Sequence, residues 1–192
     1  LVFISLLTNV AFAQDWANQL GSTDIDQATG IAVDAVGNSY ITGFFSNSIN
    51  LDNGNLISSA GGKDIFIAKY NGSGQLEWAK GIGGSGDDEG KDIAVDNSGN
   101  IYLLGNFSST VDFDPSINLA LKTAQDFSDL FIAKFNNDGT LAKVDAIAGS
   151  GTDLAENIEL DQNNNVYISG FNNQDPSNVG IFIWKHSHNH IF

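Results

Sequence analysis

Cysteine is absent from the 192 residues and proline occurs only twice. The first absence removes disulfide frameworks and thiolate metal sites, and it leaves the redox compartment unreadable from thiol usage. Basic residues are also scarce: eight Lys and Arg face 23 Asp and Glu, for a formal charge of -15. Such a chain repels nucleic-acid phosphates and anionic membrane surfaces, while cations and neutral partners remain open to it. Long helical periodicity is missing too. With 21 glycines and 10% aromatic residues, the composition describes short strands joined by tight turns. The hydrophobic share of 42% against 16% charged suffices for one ordinary domain with a core and excludes a disordered polymer.

Only the N-terminus carries an extended apolar run, "LVFISLLTNVAFAQDW" from Leu1 to Trp16. Its apolar stretch and the small-residue site Ala11-Phe12-Ala13 read as a secretory signal over residues 1–13, cleaved after Ala13. The basic n-region and an initiator Met are missing, so the recorded sequence is expected to start inside a reading frame. A buried first strand is the alternative. A membrane-spanning helix needs about 20 apolar residues, so no membrane insertion of the mature chain is expected, and its destination is the medium or the cell surface.

The remainder repeats itself. "IAVDAVGNSYITG" at Ile31 to Gly43 returns as "IAVDNSGNIYLLG" at Ile93 to Gly105, a step of 62 residues, and as "IELDQNNNVYISG" at Ile158 to Gly170, a step of 65. "DIFIAKY", Asp64 to Tyr70, returns as "DLFIAKF", Asp129 to Phe135, and in clipped form as "GIFIWK", Gly180 to Lys185. A period of this size marks a repeat architecture. The second unit shows the plan: a piece from Trp78 to Ile82, the loop "GGSGDDEG", a hairpin from Ile93 to Leu104 around Asn97-Ser-Gly-Asn100, a short outer piece at Ser109 to Phe113, and Leu130 to Phe135. In "IFIAKY" both alternating faces are mostly apolar, as in a strand buried on both sides. Four antiparallel strands per unit, one of them covered on both faces, predict an all-β fold, a β-propeller built of four-stranded blades with about three blades present. A β-solenoid or a sandwich fits the four turn clusters and the repetition less well. The units run over residues 16–77, 78–142 and 143–185 within a repeat region of 14–185, and 186–192 form a divergent tail.

The stretches "GGSGDDEGKDIAVDNSGNIYLLGNFSSTVDFDP", Gly83 to Pro115, and "DIFIAKYNGSGQLEWAKGIGG", Asp64 to Gly84, resemble the seven-bladed beta-propeller repeats, or SBBP repeats, of secreted and surface proteins of bacteria. The resemblance extends from Trp16 to Lys185. It implies a β-propeller, export and association with the cell envelope, and it brings no agreed biochemical activity. The third unit departs from the pattern: Lys143 stands where Trp78 stood, the segment between Gly170 and Ile181 is shorter, and "HSHNHIF" replaces the next turn. Three blades do not close a ring of four to eight. A fragment whose remaining blades lie elsewhere in the intact protein is therefore expected, with oligomerisation as the alternative.

Hard cations favour carboxylates on flexible loops, which makes Asp87, Asp88 and Glu89 in "GDDEG" and Asp112 and Asp114 in "VDFDP" candidate calcium ligands. The competing reading makes them solvated turn and edge positions. Asp34, Asp96 and Asp161 recur at the hairpin turns, where Asp and Asn side chains bond nearby main-chain N–H groups and Gly or Asn accepts positive φ. His186, His188 and His190 alternate in the tail, Trp16 and Trp78 occupy equivalent positions and read as core, and Trp184 stands apart. No nucleophile motif or phosphate-cradling loop is present. The expected function is therefore a non-catalytic binding or scaffold module at the bacterial surface, with a protein or carbohydrate partner, no organic cofactor, and calcium as the candidate ion of the loops; zinc or nickel on the alternating tail histidines is the lesser reading. A polysaccharide-acting enzyme working through paired carboxylates and a calcium-dependent adhesin are the alternatives.

Overall fold

The structure is a computed structural model that describes residues 16–18, 20–51, 56–114, 116, 118–125, 127–147, 151–172 and 180–186. The expected signal segment, 1–13, lies outside them. The described residues form thirteen strands: β1 Asp26–Val33, β2 Ser39–Asn50, β3 Leu56–Tyr70, β4 Leu76–Gly84, β5 Glu89–Val95, β6 Ile101–Phe107, β7 Thr110–Asp112, β8 Leu121–Thr123, β9 Asp129–Phe135, β10 Leu141–Ile147, β11 Leu154–Leu160, β12 Val166–Asn172 and β13 Gly180–His186. No described helix is long and apolar enough to cross a membrane.

Three antiparallel sheets result, ordered β1-β2-β3-β4-β7-β8, β5-β6-β9-β10 and β11-β12-β13. They are blades one, two and three of an open, partial β-propeller. The innermost strands β1, β5 and β11 adjoin one another, as blades packed around an axis require. The sheets are phased later than the sequence repeat. Trp78 and its strand pair with β3, at Lys69↔Trp78, and so complete the blade before the unit they open. The hairpin β7–β8 likewise belongs to the second unit by sequence but pairs with the outer edge of the first sheet, at Gly83↔Asp112 and Gly84↔Val111. In the first unit the equivalent residues simply prolong β2 and β3, at Ser48↔Ser58 and Asn50↔Leu56. Asn47 and Ser109 mark the same kink in both, each at φ 60°.

The faces that blades turn toward each other are apolar. One core joins blades one and two through Ile65, Ile67, Ile93, Leu103, Phe107 and Phe131. A second joins blades two and three through Tyr102, Leu130, Ile132, Ile158 and Val166. The double-sided burial predicted for "DIFIAKY" is present: Asp64 to Tyr70 are all buried. Each second strand holds a glycine, Gly43, Gly105 or Gly170, where a Cβ would strike the first strand's carbonyl and the ring of Phe66, Phe131 or Phe182. There each innermost strand carries a bulge, between Ala28 and Gly30, Gly90 and Asp92, and Ala155 and Asn157. The glycine admits the extra backbone that the bulge pushes inward.

Candidate functional site

The three hairpin turns between the first and second strands of the blades are the same device built three times. In blade one the Asp34 carboxylate accepts the N–H groups of Val36 and Asn38 on Oδ1, at 3.0 and 2.9 Å, and the Asn38 amide and Tyr40 hydroxyl on Oδ2, at 2.8 and 3.1 Å. Asp96 does the same with Ser98, Asn100 and Tyr102, and Asp161 with Asn163, Asn165 and Tyr167. Gly37 and Gly99 take the left-handed position with φ of 91° and 79°, and Asn164 takes it in blade three with φ 59°. A lysine from the third strand then lies over each tyrosine ring: Lys69 over Tyr40, Lys134 over Tyr102 and Lys185 over Tyr167, at 5.6, 5.3 and 5.1 Å.

Electrostatics follow from these contacts. Burial works to raise the Asp34 carboxyl, but the bonds from Asn38, Tyr40 and Val36 outweigh it and hold it below the usual range. The Asn165 amide is the main influence holding Asp161 down to about 2. Burial, then the paired aspartate, pushes the Tyr40 phenol well up. All four acceptor directions in each turn are used by the turn itself. This geometry is that of a folding device, as read from the sequence; the tyrosine and lysine partners were not read.

The five calcium candidates occupy two separate places. Asp87 Oδ1 accepts the Lys63 N–H at 3.0 Å. Asp88 is fully buried and accepts N–H groups from Gly84 at 2.8 Å and Ser108 at 3.0 Å. Burial dominates and lifts its carboxyl to about 6, against the pull of those donors, with Asp64 and Asp87 adding to the rise. Glu89 bridges Lys63 at 2.6 Å and Lys91 at 2.5 Å. Asp112 closes the β7–β8 loop through the N–H groups of Asp114 and Ala120, and Asp114 binds Ser116. No group of three or more His, Cys, Asp or Glu among the described residues is placed to share a metal ion.

The remaining candidates behave variously. Trp78 packs against the first core and beside Gly139, donating its Nε1–H to the Asn137 carbonyl at 3.1 Å. Trp16 stacks on Tyr70 at 6.2 Å and lies beside Gly74, yet stays 38% exposed. The equivalence therefore holds, but both are rim clamps on the next blade's turn more than core. Trp184 is largely exposed. His186 ends β13, and His188 and His190 lie outside the described residues. An open groove of about 280 Å³ lies where the innermost strands meet, lined by Ile31, Val33, Asp92, Val95, Glu159 and Leu160 among others. Asp92 is occupied there, its Oδ2 accepting the Ile158 N–H at 2.9 Å and so tying blade two to blade three.

Antiparallel sheets packed face to face, with a repeated turn cluster in each, define a β-propeller repeat protein. The family described as Beta-propeller repeat, SBBP, matches residues 15–43 and 77–113, so two stretches of the chain are similar to that repeat. It is also similar to an uncharacterized WD repeat-containing protein of Acanthamoeba polyphaga mimivirus, with 24% identity over 187 residues, 81% of this chain and 13% of that protein. The chain thus spans about an eighth of the relative's length. WD repeats are themselves propeller blades, so the two likenesses agree in fold.

Proposed function

We propose that the chain is part of an exported, non-catalytic propeller that works as a binding scaffold at a bacterial cell surface, with a protein or carbohydrate as partner. The observation that carries this reading is the threefold turn cluster. The recurring carboxylates Asp34, Asp96 and Asp161 are spent on closing turns, whereas the exposed apolar side chains Val36, Leu119 and Phe127 sit at positions that differ between units. Recognition surfaces are built in that way, with variable loops on a repeated frame. Ile181 and Ile183 of β13 are 86% and 80% exposed on the face that a following blade covers in blades one and two. Further blades, from a longer chain or a second copy, are part of the working protein in this reading.

An enzyme acting on polysaccharide would need two accessible carboxyls flanking the scissile bond. Asp64 and Asp88 are solvent-excluded, while Asp92 and Glu159 line the open groove between the innermost strands. Incubated with soluble polysaccharides, the chain is expected to release no reducing ends. Release that Glu159→Gln or Asp92→Asn abolishes would make it the carboxylate enzyme instead. Export is checked by N-terminal mass spectrometry of the protein from its host: a mature start at Gln14 is expected, and an intact Leu1 to Ala13 segment overturns it.

A further inference from the structure

At each blade junction a third strand carries a buried aspartate, Asp64 within β3 or Asp129 at the start of β9, and the residue before it accepts the main-chain N–H of an aspartate that precedes the next blade's first strand. Between blades one and two these are Asp64 and Asp88, where the Asp88 N–H donates to the Lys63 carbonyl at 2.7 Å. Between blades two and three they are Asp129 and Asp153, where the Asp153 N–H donates to the Ser128 carbonyl at 3.1 Å. All four are at least 97% buried. Asp64 Oδ2 accepts the Ala60 N–H at 2.6 Å and Asp129 Oδ2 the Gln125 N–H at 2.8 Å. The other oxygen of each, Oδ1, is buried and has no hydrogen-bond partner among the described residues. Asp26, at the position of Asp88 in blade one, has a buried Oδ1 in the same condition. Gly83 makes room for the Asp64 carboxylate, which a Cβ there would overlap.

A buried carboxylate oxygen without a donor is costly, and two carboxylates brought together without water repel each other. Something positive is needed. Lys63 is the nearest cation in sequence, but its Nζ is held by Glu89 and lies over the Phe44 ring at 4.4 Å. At the second junction Ser128 stands in its place. The donors on offer are oxygens alone, which selects a hard cation, and a site short of water suits calcium better than magnesium, which gives up its hydration shell reluctantly.

We propose that each junction holds one calcium ion between its two aspartates, Asp64 with Asp88 and Asp129 with Asp153, with main-chain carbonyls completing the shell. The ion acts as a rivet between successive blades. It shares Asp88 with the loop carboxylates named from the sequence and leaves out Asp87, Glu89, Asp112 and Asp114.

The test is calorimetric titration of the full chain with calcium chloride at pH 7, alongside melting in calcium and in EDTA. Two equivalents and a melting rise of about 5 °C over EDTA are expected at saturating calcium. Asp64→Asn and Asp129→Asn should each remove one equivalent, and Asp114→Asn none. Absence of binding heat together with unchanged melting overturns the proposal. So does a calcium response that survives the double variant or disappears in Asp114→Asn. Should a junction variant fail to fold, the wild-type stoichiometry still decides, because fewer than two equivalents contradicts a site at each junction.

Discussion

The two blade junctions bury the same strand in the same way and fasten their rims by different means. Between blades one and two the rim is ionic: Lys63, Glu89 and Lys91 form a chain of charges. Between blades two and three it is neutral, with Asn106 donating to the Asp153 carbonyl at 2.7 Å and accepting the Ala155 N–H at 3.1 Å. A third face, on β13, presents the same apolar pattern with none of the described residues packed over it. Ile65 and Ile67 are fully buried, while their counterparts Ile181 and Ile183 are bare. The apolar strand is therefore what a junction cannot do without, and the rim chemistry is free to drift from one junction to the next.

The sharpest way to break this comparison is to remove the same side chain from a covered and an uncovered face. Ile67→Ala should cost about 2–5 kcal/mol by urea denaturation, as a fully buried isoleucine does, whereas Ile183→Ala should stay within about 0.5 kcal/mol. Equal effects would mean that β13 is covered in solution, by another blade or a second copy. The next effect is pH-dependent and belongs to the first junction. Asp88 is raised to about 6, above its unfolded value, so the folded state holds the proton more tightly. Its contribution is fully present below about pH 4 and is lost as pH rises through 6, on the order of 2 kcal/mol. In EDTA, stability at pH 7 should therefore gain relative to pH 5 when Asp88 becomes Asn; no change in the pH 5 to 7 difference would show that the carboxyl is not strained. The smallest effect separates the rims. Glu89→Gln should cost less than about 1 kcal/mol and should remove salt dependence from the first junction, measured as melting between low and high ionic strength.

Much of the fold was legible because repetition multiplies weak signals. The turns were readable from Asp34, Asp96 and Asp161 with their glycines, since turn chemistry acts over four residues. The phase of the sheets was not readable. Nothing local says that Trp78 pairs back to Lys69 or that Thr110 to Asp112 join another sheet, and a strand apolar on both faces gives no alternation to choose between neighbours. Of the junction aspartates only Asp88 was named, as a loop candidate; Asp64, Asp129 and Asp153 were missed for a related reason. Asp64 and Asp129 stand at the start of the repeated apolar segments, where an acidic residue reads as solvated, and only the blade packed above them turns that point into an interior.

The β7–β8 hairpin carries one more consequence. It leaves blade two, crosses to the outer edge of blade one through Gly83 and Gly84, and returns to start β9 with Val111 and Phe113 fully buried in the shared core. Pulling blade two away would peel a strand pair from its neighbour and empty that neighbour's core at once. The first two blades should thus fail under load as a single unit, so that the grain of this protein's mechanical resistance is two blades wide.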